Sequence, residues 1–336
     1  MIDFRSDTFT KPTPEMLDAM FRAEVGDDVF EEDPTVNELE HLAASMFGKE
    51  AALFCSSGTQ TNQVAINVHT RPGDDIICDQ FAHIHYYEGG GIAANSGATV
   101  SLLAGTNGLI STKQIEAAIK VDNVHFPRTS LVALENTSNK GGGSIYSKSD
   151  LVEIHKLCKS RGLAYHLDGA RVFNAIVESD YTAQDLGSWF DSISICLSKG
   201  LGAPVGSVLV GSKEFIHQAR RVRKRFGGGM RQAGYLAAAG VYALKNNVDR
   251  LKVDHRNAHQ IESILLKQSY TDHVSPVESN IVILHLNQRF TGEQFVKALE
   301  ERGIKVLSLS DQSVRFVTHL DITVEMMNKV EEKLSF

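Results

Sequence analysis

Ser194-Ile-Cys-Leu-Ser198-Lys199-Gly200-Leu-Gly202 reads as an apolar, β-branched strand that runs straight into one lysine and a glycine-rich turn. Upstream, Ala164-Tyr-His-Leu-Asp168-Gly-Ala-Arg171 is a second apolar strand, closed by a carboxylate. A Lys and an Asp at the carboxyl ends of two neighbouring strands are the two groups pyridoxal phosphate requires. The amine forms a Schiff base with the aldehyde, and the carboxylate pairs with the pyridinium nitrogen so that the ring acts as an electron sink. Two plainer readings compete. Lys199 is a surface lysine, though an apolar strand leading into it argues against full exposure. Asp168 is costly to bury unpaired and salt-bridges Arg171; otherwise Asp168 serves the ring and the planar fork of Arg171 is free for a substrate carboxylate. The glycines at 200, 202 and 206 are spaced GxGxxxG and lead into a strand, so a dinucleotide-binding fingerprint fails on context.

Outward from these strands, the chain alternates helix and short apolar strand from about residue 35, the pattern of a sheet covered on both faces. Strands are predicted at 51–55, 75–78, 131–135, 164–168, 192–198 and 207–211. Helices are predicted at 37–47, 62–69, 112–120, 149–161, 213–225 and 232–245. Their order suits a mostly parallel sheet with right-handed crossovers. Near residue 248 the texture changes: a polar helix over 248–267 leads into strand 280–286, helix 291–302, strands 305–309 and 314–318, and a helix over 323–334. That order predicts a small α+β unit. The expected organisation is an N-terminal arm with a short helix over 1–30, a large α/β domain over 31–247 and a small domain over 248–336.

Composition narrows the function class. A net charge of −7 argues against a general nucleic-acid binder. No apolar run approaches the length of a membrane helix, and the start Met1-Ile-Asp-Phe-Arg carries no secretory pattern. The four cysteines (Cys55, Cys78, Cys158 and Cys196) form no CxxC pair and read as reduced thiols, which suits the cytoplasm. Metal signatures such as HExxH are absent, and His255 with His259 is a weak substitute, so no metal is expected.

Ligands of open α/β sheets bind beyond the carboxyl ends of strands. Ser56-Ser-Gly58-Thr59-Gln60 joins a strand to a helix there, and such a turn either cradles a phosphate on unpaired N–H groups or is an ordinary capped connection. Ala82-His83-Ile-His85-Tyr-Tyr-Glu88 offers imidazoles that stack on a flat ring, move protons or sit as polar loop residues. Gly227-Gly-Gly-Met-Arg231 follows the basic run Arg220–Arg225. A solvated helix face is the plain reading of that run, and delivery of Arg231 to a phosphate is the functional one. Arg315, within Val314-Arg-Phe-Val, is an outward-facing cation or closes over a substrate carboxylate.

With these residues in hand, the chain resembles the threonine aldolase family, within the pyridoxal phosphate enzymes of aspartate-aminotransferase-like fold (fold type I). The resemblance runs nearly end to end. It includes Arg5-Ser-Asp-Thr8, Ser57-Gly-Thr59, His125-Phe-Pro-Arg-Thr129, Leu134-Glu-Asn-Thr137, Leu167-Asp-Gly-Ala-Arg171, Cys196-Leu-Ser-Lys-Gly200, Gly227-Gly-Gly-Met-Arg-Gln232 and Arg315-Phe-Val-Thr-His319. It implies an α/β fold with a mixed, mostly parallel sheet flanked by helices and a small C-terminal α+β domain. It implies retro-aldol cleavage of L-threonine and L-allo-threonine to glycine and acetaldehyde. It also implies that Lys199 carries the cofactor, Asp168 binds its nitrogen, and His83 stacks on its ring. Gly58 and Thr59 hold the phosphate, with Arg231 reaching across a subunit interface of a dimer of dimers, and Arg171 belongs to the same pocket. Ser6, Arg171 and Arg315 hold the substrate carboxylate; His83 and His125, directly or through water, handle the hydroxyl proton. The alternatives are another β-hydroxy-amino-acid aldolase or a β-eliminating lyase, and then a non-catalytic cofactor-binding protein, which the intact set Lys199, Asp168, Arg171 and Arg315 opposes. Phe30-Glu31 departs from a Tyr-Gly common in the family. His85 stands where an aromatic or apolar residue is more usual, and the glycine-rich loop 139–144 is longer than in some relatives.

Overall fold

The computed structural model describes residues 1–336. Strand β1 (Ile2–Asp3) opens the chain. The main sheet is built from β2 (Ala51–Cys55), β3 (Asp75–Asp79), β4 (Thr99–Leu103), β5 (Thr129–Glu135), β6 (Ala164–Gly169), β7 (Ser192–Cys196) and β8 (Ser207–Gly211). The remaining strands are β9 (Thr271–Val274), β10 (Ile281–Leu286), β11 (Ile304–Lys305), β12 (Leu307–Ser310) and β13 (Ser313–Val317).

The seven-stranded sheet has the order β2-β8-β7-β6-β5-β3-β4. β7, β6, β5, β3 and β4 run parallel, and β8 is antiparallel to both its neighbours. Strands β3, β5, β7 and β8 are buried along their whole length. That is why their sequences read as continuous apolar runs rather than as alternation. β4 is an edge strand with exposed and half-buried positions, so it lacks the apolar run that marked its neighbours.

Helices on both faces bury their apolar stripes on this sheet. In Lys213–Arg225, capped by Ser212, Phe215, Ile216, Ala219 and Val222 pack with Leu53, Val64 and Leu209. Arg221, Lys224 and Arg225 face solvent, as a solvated helix face requires. Arg223 turns inward and pairs with buried Asp28 at 2.8 Å.

The second sheet is antiparallel, in the order β12-β13-β10-β9. Its core gathers Val282, Leu284, Phe295 and Phe316 with Ile2 and Phe4 of the N-terminal arm. β1 pairs in parallel with β11, Ile2 opposite Ile304. The arm is thus stitched to the C-terminal unit, and Ser6 and Asp7 follow directly from it. Leu251 packs in the large core while Ile261 and Leu265 pack in the small one, so helix Leu251–Leu265 bridges the two. The expected helix over 323–334 is two short helices, Val324–Met327 and Val330–Leu334.

Candidate active site

Three strands deliver chemistry at adjacent carboxyl ends. β5 ends on Glu135 and β6 reaches Asp168, and these two residues are register partners. β7 leads through Leu197 and Ser198 to Lys199. Lys199 is half-buried, and its ammonium has neither a hydrogen-bond partner nor an ion pair. Its carbonyl accepts from Thr10 Oγ1 at 2.9 Å and from the Gly202 amide at 2.8 Å, which fixes the turn. Its charge acts on both Asp7 and His83.

Asp168 is buried and has no cationic partner. Its Oδ1 accepts from the Ala170 amide at 3.1 Å and its Oδ2 from Asn62 Nδ2 at 2.9 Å. The competing salt bridge to Arg171 does not form. Arg171 instead donates from Nε and Nη2 to the two oxygens of Asp7, both at 2.7 Å, in a fully buried pair. Burial opposes the Asp7 charge, but the Arg171 guanidinium prevails and holds its carboxyl well below the usual carboxylate range. The expectation that the whole Arg171 fork is free is therefore corrected: its Nε–Nη2 edge is committed to Asp7.

Behind Asp168 lies a directional hydrogen-bond chain. Asn62 Nδ2 donates to Asp168 and to Glu88 Oε1 (3.0 Å), while Asn62 Oδ1 faces His166 Nε2 at 3.1 Å. His166 Nδ1 meets Ser192 Oγ at 2.8 Å, and His69 Nε2 meets the same oxygen at 2.7 Å. Burial pushes the His166 imidazole down to about 3 and that of His69 down to about 4. Both rings are therefore neutral near pH 7 and settle into the tautomers this chain demands.

His83 opens the short helix His83–Tyr86 and is half-buried. Its Nδ1 lies 3.0 Å from Glu88 Oε1, and its backbone N–H donates to Glu135 Oε2 at 3.0 Å. Burial works against the imidazolium. The Glu88 hydrogen bond and the Asp168 and Glu88 charges outweigh it, so the His83 pKa rises above its ordinary value. With Nδ1–H on Glu88, Nε2 is left as the acceptor. His83, Glu88 and Asp168 offer ligand atoms within 4.8 Å of one another. The Glu88 oxygens, however, are engaged by His83, Asn62 and Gln63, which makes the cluster a hydrogen-bonded one.

Ser57 caps helix Gly58–His69 by accepting from the Gln60 amide at 3.2 Å. This leaves the first amides, those of Gly58 and Thr59, without partners. A Cβ on Gly58 would lie 2.6 Å from Cys196 Sγ, so only glycine lets the helix start this close to β7. Gly228 packs against Gln60 of the same helix. Arg231 pairs with Asp27 at 2.8 Å and is 56% exposed.

Arg315 is part-buried. Its Nη1 donates to Asn139 Oδ1 at 2.9 Å and its Nη2 to the Arg5 carbonyl at 3.3 Å. It has no carboxylate partner, and its Nε is buried with nothing to donate to. Burial first, and then neighbouring Arg171, press its pKa down. Ser6 is buried one residue before Asp7, with Oγ accepting from the Thr8 amide at 3.2 Å. His125 lies on an exposed loop between Val124 and Phe126. Its amide bonds Asn123, and its side chain bonds no residue of the cleft.

The sequence pattern passed over Asp7, Asn62, Glu88, Glu135 and Asn139 as site residues. Glu135 carried the same signal as Asp168, a carboxylate closing an apolar strand. Glu88 lies only five positions from His83, within the same stretch, whereas Asp7, Asn62 and Asn139 meet the site through long-range contacts.

These residues fit pyridoxal phosphate. A buried carboxylate without a cation suits a ring nitrogen that carries a proton. An unpaired lysine suits the aldehyde, and unpaired amides at Gly58 and Thr59 suit a phosphate.

The profile of the beta-eliminating lyase family matches residues 3–289. A low-specificity L-threonine aldolase from Escherichia coli K12 is 44% identical over 98% of this chain and 97% of its own length. This chain belongs to the threonine aldolase family. An Arabidopsis thaliana low-specificity L-threonine aldolase 1 is 41% identical over 96% of this chain and 92% of its own. Among solved structures, the threonine aldolase of Leishmania major superposes with a TM-score of 0.86 over 99% of this chain and 98% of its own, at 24% identity. The serine palmitoyltransferase of Sphingomonas wittichii superposes at 0.78 over 99% and 86%, at 17% identity. These superpositions show one shared fold, that of the fold type I enzymes.

Proposed function

We propose that this protein is a pyridoxal phosphate-dependent aldolase that cleaves L-threonine and L-allo-threonine between Cα and Cβ, giving glycine and acetaldehyde. The observation that carries this reading is the unpaired Arg315. A part-buried guanidinium with no carboxylate of its own, its Nε–H orphaned, stands beside the Asp7–Arg171 pair, and Asp7 in turn feels the charge of the unpaired Lys199. An amino-acid carboxylate supplies what Arg315 lacks, in the bidentate geometry Arg prefers.

When bound, the cofactor supplies an electron sink for the carbon–carbon bond that breaks. Lys199 is the residue to hold it covalently, Asp168 to keep its ring nitrogen protonated, and Gly58 and Thr59 to seat its phosphate. Arg315, with Ser6 and the uncommitted Nη1 of Arg171, fixes the substrate carboxylate. That contact restricts rotation about Cα so that the Cα–Cβ bond is the one aligned to break. His83 Nε2 takes the β-hydroxyl proton, and the hydroxyl oxygen becomes the carbonyl oxygen of acetaldehyde. Glu88 holds His83 in the tautomer this needs. A proton returned to Cα completes glycine.

We further place the protein in the cytoplasm as a dimer of dimers. Four free, buried cysteines suit a reducing compartment. No helix is long and apolar enough to cross a membrane. Arg231 and His125, both exposed on one chain, are the residues we assign to a neighbouring subunit's cleft.

Product analysis tests the reaction. The cofactor-loaded protein is expected to release glycine and acetaldehyde in equal amounts from each threonine diastereomer. Ammonia with a keto acid would instead mark β-elimination and overturn the aldolase reading.

A further inference from the structure

Glu135 is a buried acid that the cleavage chemistry above leaves unused. It closes β5 beside Asp168, and its two oxygens accept from two different segments. Oε2 accepts from the His83 amide and Oε1 from the Asn139 amide, both at 3.0 Å. Each contact continues to a working group. His83 carries the proton-handling imidazole on the residue Glu135 holds. Asn139 Oδ1 in turn accepts from Arg315 Nη1 at 2.9 Å. One carboxylate therefore anchors both the helix that bears His83 and the loop that steadies Arg315. Burial first, and then the Asp168 charge, push the Glu135 carboxyl up to about 7, so this anchor is held at some cost in a buried setting. Two backbone donors converge on it, and only an acceptor at both oxygens satisfies them.

We propose that Glu135 is a positioning residue that couples the carboxylate clamp at Arg315 to proton transfer at His83. This rests on the roles given to those two residues under the proposed function. The coupling runs through backbone amides, so it does not depend on what Glu135 itself protonates. Glu135→Gln is the discriminating change, because the glutamine NH₂ must confront one of the two N–H donors while keeping the side chain's shape.

The test is steady-state kinetics of the cofactor-loaded protein on L-threonine, with hydrogen exchange of the segments around His83 and Asn139. Glu135→Gln is expected to raise KM and lower kcat, each about tenfold, the size of one lost charge-assisted hydrogen bond per arm. Exchange in both segments is expected to quicken. Asn139→Ala is expected to raise KM by a similar factor while moving kcat less. Added to Arg315→Ala, it should raise KM no further, since it acts through that arginine. A Glu135→Gln effect on only one kinetic parameter, unaltered exchange, or additive KM effects of Asn139→Ala and Arg315→Ala would each overturn the coupling. If Glu135→Gln does not fold, Glu135→Asp takes its place, because the shorter carboxylate cannot reach both amides, and the same changes in KM, kcat and exchange are expected. The exchange measurement needs no turnover, so wild-type protein that released no glycine would count against the reaction while the anchoring was still read.

Discussion

At the scale of single residues, the site works by pairing some charges and leaving others open. His83 is the clearest case. Its pKa stands above the ordinary value because Glu88 and Asp168 outweigh the effect of burial. A base must be neutral to accept a proton, so kcat/KM should fall as pH drops through this raised pKa. Glu88→Gln removes the partner that raises it. The acid limb of the pH–rate profile should then move to lower pH, and kcat should fall about tenfold because the ring loses its orienting contact. An acid limb that stayed in place would take His83 out of the role of base. Arg315 is the complementary case, a cation with no anion. Arg315→Ala should raise KM for threonine about 10- to 100-fold, the worth of a charge-assisted hydrogen bond, while cofactor absorbance is retained. An unchanged KM would refute its placement on the carboxylate.

At the scale of elements, the turn Asp28–Phe30 carries backbone strain at its end. Glu31 closes it at φ +62°, in the left-handed region where a Cβ is strained. Glycine has no such penalty. Glu31→Gly should therefore stabilise the protein by about 1 kcal/mol, read as a higher denaturation midpoint. Lower stability would show that the 3.7 Å ion pair with Arg220 matters more than the backbone.

The same scale shows what a sequence makes legible. β5, β6, β7 and β8 were readable because burial on both faces forces continuous apolar runs. β4 and β9 were not, because edge strands with exposed positions carry no such run. Lys199 and Asp168 stood out because the first follows an apolar strand and the second lies at the end of one. The Asp7–Arg171 pair could not, because its partners are 164 positions apart and meet only once the arm is stitched to β11. His125 matched a family motif, yet no motif reports that its loop lies on the surface of a single chain.

At the scale of the whole molecule, two cores meet across the cleft, and the N-terminal arm carries Ser6 and Asp7 from the small core to the strand ends of the large one. The neutral His166 on β6 and His69 at the end of helix Gly58–His69 set a pH limit on this assembly. The unfolded chain protonates both below about 6.5. The folded protein refuses those protons until about 4 for His69 and about 3 for His166. Stability should therefore fall with pH in that window, by about 1.4 kcal/mol per pH unit for each neutral imidazole. His166→Asn should lessen that slope in unfolding curves taken across the window, and an unchanged slope would assign the acid sensitivity to other groups.

Lys199 is the amine proposed to hold the cofactor opposite Asp168. Borohydride reduction of the cofactor-loaded protein, followed by peptide mapping, tests this directly. The expected result is a single pyridoxyl-modified peptide containing Lys199, absent in Lys199→Ala. Modification at a different lysine, or none at all, would contradict it.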